Sequence, residues 1–478
     1  MKYICFLAAF FLFALLGFSQ TYNYYFGNLH AHTAFSDGNK DSTASGVGRP
    51  DGSYAYAKLT NDFDFLGISE HNHYSTNHNP GFKQPLYQVG LTMANAANQD
   101  GSFLALYGME YGVSSKYNGH VLIYGFNQLI GWETGVGGLT GNNYDVFNAK
   151  TDYDGVFKKV KNNQSAFAYL AHPDFDDYTT DGTYATALSN KPYNADYDSA
   201  IVGMPLRSGL ATSAMTNYND YSLGSYFNYF KRLLYLGYHL GKGYDHDNHY
   251  TNFGRSNGGR LVILASSLTR ANLYSAMKQM HFYGSDDSNA KIDFNMNGST
   301  MGSILSGSVY PTFNVLHNDP DGEHADTIKI WRGNKNSGGL WAEIVHISNG
   351  NNTTSFTDLN IVPNIEYYYF TEIKQADGQW IMASPIWYTA SALVSVKENS
   401  SEIKLNYFPN PVSKKLNISM ALCDDYRISI LDVTGRKIFE KNFFEKDITL
   451  DVSEVQNGIY SLIVKNKTSS ISKKLVVE

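Results

Sequence analysis

Cysteine is nearly absent: the 478-residue chain has two. Cys5 falls in an apolar leader without the lipobox context of a lipoprotein, leaving Cys423 alone. No intrachain disulfide can then staple the mature chain, and its stability must come from packed cores and bound metal. Basic excess is lacking too. With 37 Lys and Arg against 44 Asp and Glu, the formal net charge is -7, which speaks against nucleic acid as a partner, since phosphates require a basic face. Long apolar runs are missing beyond the N-terminus. Met1-Lys2, the apolar run from Tyr3 to Leu16 and Gly17-Phe18-Ser19-Gln20 read as a secretory signal peptide over residues 1–19, its apolar part too short to span a bilayer. No transmembrane segment is expected in the mature chain, which should be soluble once exported.

What is present is apolar and aromatic: 43% hydrophobic residues, 15% aromatic, 37 Tyr. That is ample for several cores, and the length suggests about two to four domains. Three compositional regimes follow the leader. Residues 20–297 alternate apolar strand-like runs with helix-like stretches, the pattern of an α/β barrel. Residues 298–395 hold only short strand-like runs, among them Thr327-Ile-Lys-Ile-Trp331 and Tyr367-Tyr-Tyr-Phe-Thr-Glu-Ile373. Separated by Gly, Asn and Asp turns, they predict an all-β, Ig-like sandwich. Residues 400–478 form a third regime, predicted as a small β-sandwich.

The first regime carries the chemistry. After the aromatic run Tyr22 to Phe26 come His30, His32 and, on a Ser-Asp-Gly turn, Asp37. Residues two apart on a strand share a face, so His30 and His32 can reach one metal, and Asp37 can swing a carboxylate toward it. The apolar strand Phe63 to Ser69 ends in Glu70 and His71; His71 is a ligand candidate, and Glu70 points the other way, suited to a supporting hydrogen bond. His73 and His78 lie in the loop beyond, His73 near enough to serve as a proton donor. Glu110 ends the next apolar strand, where an unpaired buried carboxylate would be costly. His120 begins another strand, and His172, before Pro173, ends one as His71 does. Residues 174–223 read as long loops around a short strand at Ala200 to Met204. A helix is predicted over 225–241, with Phe227, Phe230, Leu234 and Tyr238 on one face. In Gly243-Tyr-Asp-His-Asp-Asn-His249, Asp247 and His249 repeat the two-residue spacing, with Asp245 and His246 interleaved so that the register stays open.

In order along the chain these motifs resemble those of the PHP (polymerase and histidinol phosphatase) metal-dependent phosphoesterases. The resemblance implies a distorted (β/α) barrel with a nine-ligand metal cluster of His30, His32, Asp37, His71, Glu110, His120, His172, Asp247 and His249. The segments Asp247-Asn248-His249, Leu268 to Met277 and Tyr283-Gly284-Ser285-Asp286-Asp287 look like its CehA/McbA-like branch. That branch usually has basic residues just before the tyrosine, where this chain has Met280, His281 and Phe282. Arg270, in the first turn of a helix capped by Thr269, is poorly placed for the helix dipole, and reads either as a catalytic residue kept for a ligand or as a barrel ion pair. The third regime, with Pro409-Asn410-Pro411, Asp432-Val-Thr-Gly435 and Gly458-Ile-Tyr460 in order, closely resembles the C-terminal sorting domain of type IX secretion cargo. It implies the type IX machinery as partner and a secreted or outer-surface location.

Mixed imidazole and carboxylate donors suit zinc, manganese or iron, and two or three such ions suit in-line displacement at a phosphate ester. The expectation is a secreted multinuclear metal-dependent hydrolase of a small-molecule ester, most simply a phosphoesterase using a metal-bridging hydroxide. The alternatives are carbamate or amide hydrolysis on the same site, or a surface-binding protein whose barrel is inactive.

Overall fold

The computed structural model describes residues 22–59, 63–113, 115–208, 222–253, 258–335, 341–391, 403, 405–467 and 470–478. The leader and the start of the third regime near Ser400 lie outside them. Strand accounts for 41% and helix for 16%, so the protein is mostly β-sheet, because everything after the first regime adds strands without helices. Two compact units are present, Met1–Leu393 and Val394–Glu478.

The first unit is built from β1 (Asn23–Asn28), α1 (Pro50–Lys58), β2 (Phe65–His71), α2 (Gln84–Ala97), β3 (Leu104–Tyr111), β4 (His120–Tyr124), α3 (Tyr153–Lys161), β5 (Phe167–Ala171), α4 (Ala195–Ala200), β6 (Ile201–Pro205), α5 (Ser222–Leu236), β7 (Gly241–Gly243), β8 (Arg260–Ala265), α6 (Arg270–Lys278) and β9 (Phe282–Ser285). In space the strands follow the order β9-β8-β1-β2-β3-β4-β5-β6-β7. β1, β2 and β3 are mutually parallel, as are β5, β6 and β7. β4 runs against both of its neighbours, as β8 does, so its first residue lies at the edge where the parallel strands end. β2 and β3 are buried along almost their whole length, as strands covered on both faces must be. Helices pack outside them: Tyr54 of α1 donates to the Leu106 carbonyl at 2.6 Å, and Tyr87 of α2 to the Phe126 carbonyl at 2.7 Å. The row curls until β7 lies against β9. A Cβ on Gly284 would stand 2.1 Å from the Gly243 carbonyl oxygen, so only glycine admits this approach. The helix predicted over 225–241 runs instead over Ser222–Leu236, and Tyr238 is buried beyond its end.

The second regime continues the same sheet. Its strands are β10 (Lys291–Met296), β11 (Ile304–Gly307), β12 (Thr312–Asn318), β13 (Ala325–Asn334), β14 (Glu343–Asn349), β15 (Thr353–Thr357), β16 (Glu366–Gln375), β17 (Trp380–Ala383) and β18 (Ile386–Ala390). β17 pairs with β9, which joins β11, β18, β16 and β17, with β13 and β14, to the first-regime strands in one fifteen-stranded sheet. A second sheet, formed by the short strand Ser299–Thr300 with β10, β12 and β15, faces it. Period-two alternation shows how the layers join: Leu261, Ile263 and Phe282 enter the first core, while Val262, Leu264 and Tyr283 enter the second, against Phe294, Phe313, Ile328 and Tyr369. β10 precedes the expected boundary at 297 yet pairs with β12 beyond it, so the layer begins earlier in the chain than composition indicates.

The second unit has β19 (Leu405–Phe408), β20 (Lys415–Met420), β21 (Tyr426–Leu431), β22 (Lys437–Phe443), β23 (Asp447–Asp451), β24 (Gly458–Lys465) and β25 (Ser470–Val477). Two sheets, β19-β20-β23 and β22-β21-β24-β25, enclose a core that includes Leu416, Ile428, Leu462 and Leu475. The predicted turn is observed: Asp432 Oδ1 accepts from the Thr434 and Arg436 amides at 2.9 and 3.0 Å.

Candidate metal centre

All nine residues expected as ligands meet at the edge where the parallel strands end. His30 and His32 follow β1, His71 closes β2, Glu110 lies near the end of β3, His120 opens β4, His172 follows β5, and Asp247 and His249 follow β7. Extended backbone carries the two-residue spacings into register. Asn248 N–H donates to the His30 carbonyl at 3.1 Å and His32 N–H to the Asn248 carbonyl at 2.8 Å, so His30 and His32 stand beside Asp247 and His249. Asn28 pins the junction, its Oδ1 accepting from the His246 amide at 3.0 Å and its Nδ2 donating to the His30 carbonyl at 2.7 Å.

Glu110 is the hub, wholly buried. Its Oε1 is 3.1 Å from His30 Nε2, 2.8 Å from His120 Nδ1 and 3.2 Å from His172 Nε2. Its Oε2 is 3.0 Å from His71 Nδ1 and 3.4 Å from His32 Nε2. Asp247 Oδ1 lies 3.2 Å from His30 Nε2 and 3.1 Å from His32 Nε2. Asp37 stands at the rim, Oδ1 3.5 Å from His71 Nε2 and Oδ2 3.2 Å from His249 Nε2.

The electrostatics follow from burial set against charge. Desolvation opposes the charged form of Glu110, yet His120, His30 and His71 hold its carboxyl well below the usual range. Burial likewise opposes charge on Asp247, which His30 and His32 keep low. Burial alone would lower His30 and His71, but the carboxylates together outweigh it, Glu110 with Asp247 and Asp245 raising His30 well above its ordinary value and Glu110 with Asp37 and Asp247 raising His71 to about 9. In His32 burial wins, and its value falls to about 4.

These residues suit a divalent cation. His30 Nε2, Asp37 Oδ1, His71 Nδ1, Glu110 Oε2 and His120 Nε2 are buried without a hydrogen-bond partner, although donors and acceptors face one another within about 3.5 Å. Orphaned polar atoms are costly, and imidazole and carboxylate lone pairs aimed at shared centres are what zinc, manganese or iron require. Four triads bring their donor atoms within 4.8 Å of one another: His32, His71 and His249; His30, His172 and Asp247; His30, His32 and Glu110; His71, Glu110 and His120. His172 and Asp247 adopt φ of 29° and 46°, a backbone cost of about 1–3 kcal/mol each that surrounding structure must sustain.

Two supports lie behind the cluster. Asp245 is buried with Oδ2 3.3 Å from His30 Nδ1, the nitrogen turned away from Glu110. It stands two residues before Asp247, so the spacing that selected Asp247 and His249 selects it as well. His246 leaves the cluster, its Nε2 2.7 Å from the Gly259 carbonyl, which closes the register question. Glu70 accepts from the Thr33 amide at 3.1 Å and from the hydroxyls of Thr33 and Ser36, bracing the turn that carries His32 and Asp37. Burial raises it to about 7.

His73 lines a cavity of about 330 Å³ over the cluster, with Asp37, His71, His78, Asn79, Val113 and His120. Its ring stacks on Trp132 at 5.6 Å, an aromatic partner that no sequence motif marks. Burial first, then His71 and His120, push it down to about 3.

Arg270 is a correction. Its Nε donates to the Ala105 carbonyl at 2.9 Å and Nη2 to the Ala94 carbonyl at 2.8 Å. Ala105 begins β3 and Glu110 lies five residues on, about 17 Å away along a strand. The guanidinium serves the C-terminal turn of α2, a favourable place for a cation, and stands away from the cluster, ion-paired to no carboxylate among the described residues. Met280, His281 and Phe282 likewise sit where β9 begins, away from the edge holding the cluster, so their departure from the family pattern bears on packing.

Residues 406–478 match the family described as Secretion system C-terminal sorting domain, which indicates a type IX-secreted protein. No curated protein sequence matches it. Solved structures similar to parts of it include PorZ, an essential bacterial surface component of the type-IX secretion system of Porphyromonas gingivalis, with 19% identity over 23% of this chain and 15% of that one, TM-score 0.15. The FN1-FN3 domains of chicken CNTN1 share 11% identity over 36% of this chain and 62% of that one, TM-score 0.15. Dimeric latent PorU from P. gingivalis shares 10% over 43% and 36%, TM-score 0.14. The chain spans less than two thirds of each.

Proposed function

We propose that this secreted chain is a multinuclear metal-dependent hydrolase of PHP type, its first-unit strands forming the distorted (β/α) barrel, and that its substrate is a small phosphate ester. The observation that carries the reading is Glu110, one buried carboxylate with five imidazole nitrogens at 2.8–3.4 Å. A structural ion pair needs one partner. Five, of which only His120 and His172 meet hydrogen-bonding geometry while Oε2 has no hydrogen-bond partner, suit a carboxylate that bridges cations.

His30, His32, Glu110 and Asp247 would hold one ion, His71 and His120 with Glu110 a second, and Asp37, His249 and His172 complete the set. Such ions supply Lewis acidity and activation of water at neutral pH. The protein's own residues do the rest. Asp245 holds a proton on His30 Nδ1, turning the Nε2 lone pair inward. Glu70 fixes the turn of His32 and Asp37. His73, kept neutral and stacked on Trp132, stands in the cavity wall where it can exchange a proton with a leaving group. Lys40, 3.8 Å from Asp37 and half exposed, offers a cation at the rim to an anionic ester.

Turnover tests this reading: purified chain loaded with zinc or manganese should cleave an aryl phosphate, and Glu110→Gln should abolish cleavage. Cleavage of an aryl carbamate alone would replace the ester by a carbamate or amide. Normal turnover by Glu110→Gln would remove the metal centre from the account.

A further inference from the structure

A second group of carboxylates lies in the other layer, and its chemistry differs. Asp287 follows β9, while Asp319, Asp321 and Glu323 alternate along the connection from β12 to β13, which turns through Gly322 at φ 88°, a conformation that favours glycine. Lys291 pairs with Asn318 at the adjoining ends of β10 and β12, which sets the two loops side by side. One oxygen each from Asp287, Asp319 and Glu323 lies within 4.8 Å of the others, although Asp287 and Asp319 are only 5% and 8% exposed. Like charges held so close in low dielectric repel unless a cation or a shared proton intervenes. Among the described residues no Lys, Arg or His pairs with any of the four. Of the basic residues on neighbouring strands, Lys329 is engaged with Glu372 at 2.7 Å and Arg332 with Asp358 at 2.8 Å, while His317, buried on β12, is pushed below its ordinary value by burial and so supplies no balancing charge.

Two amides make an independent case. Gln375, the last residue of β16, is 0% exposed. Its Nε2 donates to Asp319 Oδ2 at 2.7 Å, fixing the head group against the carboxylates, and its Oε1 has no hydrogen-bond partner. Asn289 repeats the arrangement: Nδ2 donates to Asp321 Oδ2 at 3.0 Å, and the buried Oδ1 has no partner. Each leaves a carbonyl-type oxygen buried without a donor beside concentrated negative charge.

We infer that the ends of β9, β12 and β16 form a calcium site. Every donor is an oxygen, from carboxylates and amides, and calcium takes about six to eight such oxygens in a flexible sphere. Zinc and manganese are better served by the imidazoles of the other cluster. Magnesium demands a stricter octahedron than three separate loops provide. The ion would tie three loop ends together at the end of the sandwich layer, and this inference does not depend on the hydrolase reading.

Calorimetric titration of calcium chloride into the full mature chain tests it. One calcium per chain is expected, with Kd of about 10⁻⁴–10⁻³ M or tighter, the range of extracellular modules. Glu110→Gln should bind it equally, while Asp319→Asn and Glu323→Gln should each weaken it at least about tenfold. Glu323 is only partly buried, so its variant serves if Asp319→Asn does not fold. Absence of calcium binding by the wild-type chain, undiminished binding by the carboxylate variants, or loss of binding in Glu110→Gln would each overturn the inference.

Discussion

Glu110 and Asp319 are both buried carboxylates at strand ends of one compact unit, yet their neighbours differ in kind. Imidazoles surround Glu110, whereas amides and further carboxylates surround Asp319. Two of the three histidines of the sandwich layer make the same point, the third, His317, being buried without a hydrogen-bond partner at either ring nitrogen. His346 bonds Thr354 Oγ1 at 2.6 Å and stacks on Phe356, a solitary side chain satisfied within its sheet, and His324 is exposed. A histidine therefore becomes a candidate ligand through topology, when parallel strands deliver several of them to one edge, and a cluster whose three grouped donors are all carboxylates suits a harder ion.

The comparison breaks most sharply at its hub. Glu110→Gln keeps the shape of the side chain and removes its charge, and His172→Ala opens a donor position after a strand packed by Phe167 and Leu170. Each should lower turnover by about three orders of magnitude or more with circular dichroism unchanged, whereas His346→Ala should leave turnover as it was. Support for a ligand should matter less than the ligand. Asp245→Asn should cost about 10–100-fold in metal affinity, measured by competition with a chelator, and Asp245→Glu should restore part of it.

Smaller effects separate stability from chemistry. Arg270→Ala removes charged donors from the Ala94 and Ala105 carbonyls and should cost about 2–3 kcal/mol in urea unfolding while kcat stays unchanged. His239 joins Asp198, 3.0 Å from its Nδ1, and Glu366, 3.3 Å from its Nε2. Burial lowers its pKa, but the two carboxylates prevail and raise it to about 9. Because the folded value lies above the ordinary ~6.5, the stabilisation is fully present below that pH and is lost as pH rises through about 9. Wild type should lose about 1–2 kcal/mol across that window relative to His239→Gln, in melts followed at each pH.

Much of this was legible from residue spacing. Apolar runs ending in His71, Glu110 and His172 marked strand ends, and strand ends of a parallel sheet share an edge, so nine residues spread from His30 to His249 could be gathered without coordinates. Asp245 could have been gathered with them, since it repeats the two-residue spacing before Asp247. The role of Arg270 was not legible, because an arginine in a first helical turn has the same local sequence whether it faces a ligand or the carbonyls of another helix. Nor was the join between layers: composition changes near residue 297, but β8 and β9 bury both of their faces, and only strand pairing shows that the sheet continues. The acidic run Asp319-Pro-Asp-Gly-Glu323 reads as an ordinary turn until Asp287 and Gln375 arrive from distant strands.

The central claim rests on metal content per chain measured beside turnover of an aryl phosphate and an aryl carbamate, for wild type and Glu110→Gln purified side by side. The account predicts two or three ions of zinc, manganese or iron in the wild-type chain, phosphate cleavage lost on chelation and regained with metal, and fewer ions with no cleavage in Glu110→Gln. Equal metal content and equal turnover in the two proteins would contradict it.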